Sequence, residues 1–242
     1  MACVRNLNLT TVGAVCAILM FVAFAVGIAC MATSGVQVLI PETGSEGREW
    51  IADVNEAGGA FVVGAWLTIL GGYFGIVALI GFWHALREAG RVLILAPILG
   101  AVGLTLVTLS HLIPIAMAYE LAPAYEDANA ATQTSLAVTA DTLAAASLVT
   151  NYAGNFLGWS VAVPMIAWAI LRTSVLPRWL GWLGLAVAFF AGWLGLLGPA
   201  SSVIEGISSI GFLLFFVFML AMGITLLRRR PREEELAPVA TP

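Results

Sequence analysis

VLPRWLGWLGLAVAFF, residues 175–190, is a short basic turn that runs straight into an apolar helix. Arg172 and Arg178 bracket the turn, and Trp179 and Trp182 stand where it meets the hydrophobic stretch. In a bilayer, guanidinium groups belong in the headgroup layer, indole rings at the interface, and Leu, Ala and Phe in the hydrocarbon beyond. The stretch reads as the edge of a membrane span. Every other loop takes its side of the membrane from it.

The composition agrees. Of 242 residues, 61% are hydrophobic and only 10% charged, with a mean hydropathy of +1.00. A soluble domain carries about a quarter charged residues to clothe its surface in water. Here the outer surface must mostly face hydrocarbon. The net charge of −4, without a basic stripe of interleaved aromatics, excludes nucleic acid as a partner. All ten basic residues are Arg, and this usage, with abundant Ala, Gly and Val, points to a GC-rich bacterial genome. Cys16 and Cys30 lie about 21 Å apart along one apolar helix, too far to bridge. With Cys3, they read as small packing residues and not as a zinc or redox motif.

Six apolar runs are long enough to span a bilayer: about residues 9–31, 60–83, 92–118, 144–171, 179–197 and 207–227. The first is longer than the 7–15 apolar residues of a signal peptide, so it is expected to be a retained span. Residues 46–57 carry Trp50, Ile51 and Val54 at helical spacing, which predicts a short helix lying on the membrane surface. Asp141 is the expected N-cap of the fourth span, with the Ala/Thr-rich segment before it extending helically. The fold class is therefore all-α: a single six-helix transmembrane domain over residues 1–230, with a disordered cytoplasmic tail at 231–242.

Charge sets the expected orientation. Arg5, Arg87, Arg91, Arg172, Arg178, Arg228, Arg229, Arg230 and Arg232 fall on one side, and Arg48 alone on the other. A nine-to-one excess marks the cytoplasmic side, placing both termini inside. The expected location is a bacterial inner membrane, crossed several times. Trp83–Arg87 and Trp168–Arg172 echo one another at the ends of two spans, best read as convergence on the same interfacial anchors.

Chemistry-bearing residues within the spans are few. His84 lies near the inner face and His111 about 30 Å along from Arg91, near the outer face, so one chain cannot bring both to a single haem iron. Pro114 leaves the Ser110 carbonyl without its helical donor, and Ser160 precedes Pro164 in the same pattern. Asn151 and Asn155 sit one turn apart on the outer half of the fourth span, with Glu205 at comparable depth in the last outer loop. Ser110, His111, Asn151, Asn155 and Glu205 are thus the candidate lining of an outward-facing polar pocket. The plainer reading is that these groups satisfy kinked backbone or lie at the interface, within two turns of water. Small residues repeat at Gly71/Gly75, Gly154/Gly158 and Gly184/Ala188/Gly192, which suits close helix packing inside the bundle or a seam between copies.

No nucleophile, phosphate-loop or zinc-protease motif is present, and the middle of the spans carries no Asp or Glu. No catalytic residue, cofactor or metal ligand is assigned. The run from Ser174 to Gly184, SVLPRWLGWLG, resembles the signature turn of an uncharacterised bacterial membrane family, domain of unknown function 4386. The length, the six spans and the acidic first outer loop are similar too. This resemblance covers nearly the whole chain apart from the tail. It implies a six-helix integral membrane protein with no established activity, and Arg178 and Trp179 match as topology anchors.

The expected function is a non-enzymatic membrane component or accessory subunit. The alternative is a carrier or binder of a small apolar, neutral or lipid-like molecule through the outer polar pocket. An enzyme acting on lipid, with His111 as base beside Glu205, fits less well. The expected partners are the lipid bilayer and either a second copy or a membrane partner subunit.

Overall fold

The computed structural model describes residues 8–36, 46–57 and 59–236. It is all-α among these residues, with α1 (Leu9–Ser34), α2 (Glu46–Ala57), α3 (Gly59–Leu86), α4 (Leu95–Ala116), α5 (Ala122–Glu126), α6 (Ala130–Asn155), α7 (Val163–Arg172), α8 (Arg178–Val187) and α9 (Ser202–Leu236). Short 3-10 and π-helical turns join several of them into longer continuous rods. Six stretches are long and apolar enough to cross a membrane: Leu9–Ser34, Gly59–Ala89, Arg91–Glu126, Ala130–Arg172, Arg178–Leu197 and Gly206–Arg229. They match the six expected spans one for one.

The helices contribute to two compact units, Met1–Phe21, Phe74–Ala101 and Trp159–Pro242 in the first, Val22–Tyr73 and Val102–Gly158 in the second. The first unit is held by α7, α8 and α9, which pack pairwise in series. Ile166, Ile170, Leu180, Phe218 and Met222 are wholly buried there or nearly so. Trp159 meets Phe212 edge-on, with ring centroids 5.6 Å apart. Helix backbones come very close: a methyl added at Gly13 would lie 2.5 Å from the Cα of Gly81. Gly184 rests on Ala167 and Phe218, and Gly192 on Ser160, so this small-residue row packs within the chain. The basic turn after α3 needs glycine, because Gly90 has φ +137, a region closed to most side chains.

In the second unit Gly103 and Gly154 let α4 and α6 touch: a methyl on either would lie 2.6 Å from the other's carbonyl oxygen. Two rods that contribute to both units are longer than a bilayer requires. Arg91–Glu126 has 36 residues and Ala130–Arg172 has 43, contour lengths of about 54 and 64 Å against about 30 Å of hydrocarbon. Their far ends, residues 117–126 and 130–143, belong to the second unit. These ends, with α2, form a cap. Trp50, Ile51 and Val54 of α2 are buried against Phe61, Ile115, Met117, Ala122 and Ala140. Trp50 packs edge-on against Phe61 with centroids 5.8 Å apart. Asn55 Nδ2 donates to the Ala122 carbonyl at 3.3 Å, and Arg48 Nη2 to Thr134 Oγ1 at 3.3 Å.

Three expectations change. The helix at 46–57 forms with the expected bounds, but its apolar face is docked on protein and not on lipid. Side chains of α3, α4, α5 and α6 cover that face. The fourth span is capped not by Asp141 but by Asn129, whose side-chain oxygen accepts from Thr132 N–H at 3.1 Å. Asp141 lies well inside α6, because Ala- and Thr-rich sequence continues the helix back to Ala130. Finally, α9 continues through Leu236, so residues 231–236 of the expected disordered tail are helical, as good helix formers such as Arg, Glu and Leu favour. Residues 237–242 lie outside the described residues.

Candidate functional site

Pro114 stands inside α4 and has no N–H to offer the Ser110 carbonyl four residues back. That carbonyl is served from another helix: Ser147 Oγ, on α6, donates to it at 2.7 Å. One turn along α6, Asn151 Nδ2 donates to Ser110 Oγ at 3.1 Å. Ser110 Oγ in turn donates to the Val107 carbonyl at 2.7 Å. A further turn on, Asn155 Nδ2 donates to Asn151 Oδ1 at 2.7 Å. His111 Nδ1 lies 2.8 Å from the same Val107 carbonyl. A carbonyl can only accept, so the proton sits on Nδ1.

The result is a ladder of side chains joining two helices. Ser110 is 1% exposed, Ser147 2%, Asn151 7% and His111 8%. Asn155, at the ladder's end, is partly exposed, and its Oδ1 accepts no hydrogen bond among the described residues. Four of the five expected residues, Ser110, His111, Asn151 and Asn155, are therefore brought together. The side chain of Glu205 lies outside the described residues; its backbone opens α9 in the first unit. Ser147 was missed, although the sequence carried a signal for it. Ser147, Asn151 and Asn155 recur every four residues, one polar stripe on a single helix face.

The second Ser-x-x-x-Pro element resolves differently. Ahead of Pro164 the chain widens into a π-helical turn, Phe156–Ala162, one way of accommodating a proline in a span. Ser160 Oγ is buried there without a hydrogen-bond partner among the described residues. His84 belongs to the first unit, where Thr10 Oγ1 lies 3.0 Å from its Nδ1 and Arg87 Nη1 donates to its Nε2 at 3.4 Å. It is a half-buried side chain held by its neighbours. No cluster of three His, Cys, Asp or Glu able to hold a metal ion occurs among the described residues.

Six spanning helices, two of them tied by a buried polar ladder, define a polytopic integral membrane protein. The chain belongs to the family described as domain of unknown function (DUF4386), which matches residues 13–229. Neither a curated protein nor a solved structure matches it.

Proposed function

We propose that the protein is a non-enzymatic component of a bacterial inner membrane, an accessory subunit that meets its partner through the cap. The observation that carries this reading is the charge of that cap. Its exposed side chains include Glu49, Asp53, Glu56, Glu120, Glu126 and Asp127 against Arg48. Such a face repels copies of itself and attracts a basic partner surface. The arginine excess supports an orientation with the cap outside the cytoplasm and both termini within it. In gentle detergent, the intact protein is expected to copurify with a defined protein at fixed stoichiometry. Joint Glu49→Gln, Asp53→Asn and Glu56→Gln substitution is expected to weaken that association about tenfold, with most of the loss in the association rate. A chain that extracts alone, or association indifferent to these changes, defeats the reading.

A second reading, a carrier or binder of a small neutral or lipid-like molecule, draws support from Asn155. A carboxamide oxygen without a donor among the described residues, at membrane depth, invites a ligand that can supply one. On this reading Asn155→Cys reacts with a water-soluble maleimide applied from outside. Reaction only with lipid-soluble reagents rejects it.

A further inference from the structure

Arg172 closes α7 and Arg178 opens α8, and both are exposed on either side of the turn at residues 173–177. Arg229 reaches that same turn from α9, donating through Nη1 to the Ser174 carbonyl at 3.4 Å. Three guanidinium groups thus border five residues that include no acid. Each of the three makes no ion pair among the described residues, and Glu88 is the one carboxylate whose side chain is described in this unit. Like charges gathered at one turn, without an ion-pair partner among the described residues, favour an anion that joins them. Arg172 is also held in place, its guanidinium carbon 4.7 Å from the centre of the Trp168 ring. Stacked on that face, its N–H edge stays free for a fork-shaped hydrogen-bond pair with two oxygens. Directly beyond the turn, α8 presents Trp179, 53% exposed, and Trp182, 65% exposed. These large apolar side chains lie where the acyl chains of a lipid would start.

We infer that this turn binds an anionic glycerophospholipid, its phosphodiester held by Arg172, Arg178 and Arg229 and its acyl chains laid along Trp179 and Trp182. The apolar face beside the cations selects a lipid over free phosphate. An interfacial basic cluster of this kind does more than set topology: it retains a headgroup.

The full chain, purified in detergent, is incubated with phosphatidylglycerol or phosphatidylcholine, and bound lipid is counted by native mass spectrometry. Phosphatidylglycerol is expected to be retained in preference. The Arg172→Gln, Arg178→Gln, Arg229→Gln variant is expected to lose it about a hundredfold, at about fivefold per arginine. Arg87→Gln with Arg91→Gln, which removes charge from the same unit but not from the turn, is expected to stay within about twofold of the parent. Loss in proportion to charge removed, wherever it is removed, overturns the inference. So does equal retention of phosphatidylcholine, or displacement of the lipid by inorganic phosphate. If the triple Gln variant fails to fold, the triple Lys variant is measured instead. It keeps the charge but not the fork, and about tenfold weaker retention is expected, unchanged retention overturning the proposal.

Discussion

Ser147 serves an acceptor that Pro114 creates, so the two residues form one device although they lie on different helices. Removing the hydroxyl leaves a buried carbonyl unpaired, and Ser147→Ala is expected to lower stability by about 0.5–1.5 kcal/mol, the range for hydrogen bonds between spans. In a Pro114→Ala background, residue 114 regains an N–H able to serve Ser110 within its own helix. The same Ser147→Ala change is then expected to lose most of its effect. A double-mutant cycle by reversible unfolding in detergent measures this, and strict additivity would show that the two residues are independent. The glycines make a second prediction. Gly154→Ala drives a methyl to within 2.6 Å of the Gly103 carbonyl oxygen, whereas a methyl at Gly158 meets nothing within 4 Å. The first is expected to destabilise by about 1–3 kcal/mol and the second to be near neutral, although both sit in one small-residue row. The row was plain in the sequence, but which member touches a neighbour depends on how the helices are rotated.

At the scale of elements, α2 is the informative case. Its length and apolar spacing are legible from Trp50, Ile51 and Val54, because amphipathicity is a property of the segment itself. Its partner is not legible, because lipid and protein both offer apolar surface. The docked Trp50 side chain predicts that Trp50→Ala weakens the cap by about 3 kcal/mol. Hydrogen exchange should then quicken over residues 46–57 while the six spans keep their protection. Equal exchange in both proteins would mean that α2 is held by something other than this core. The cap of α6 teaches the same lesson in reverse. Asp141 and Asn129 are both good N-cap residues, and the choice between them rests on how far back the helix finds packing, with Ala137 and Ala140 buried against the rest of the unit.

For the molecule as a whole, the proposed orientation separates two exposed positions. Thr134→Cys, on the cap, is expected to label with an impermeant reagent on intact cells, whereas Ser174→Cys, at the arginine-rich turn, is expected to label only after lysis. The reverse pattern would invert the topology. Six spans, their approximate ends and the arginine asymmetry all follow from the sequence, because transfer of each segment into hydrocarbon is nearly a sum over its own residues. The polar candidates Ser110, His111, Asn151 and Asn155 were visible for a related reason: a polar side chain inside a span is costly wherever it lies. Only the tertiary structure decided that Ser147 answers Pro114, that Asn155 ends a ladder and that α2 closes a cap on protein. Only it brought Arg229 to the Ser174 carbonyl, in the turn between Arg172 and Arg178. Those outcomes depend on helix rotation and register, set by backbone contacts such as Gly103 against Gly154, and no single segment contains that information.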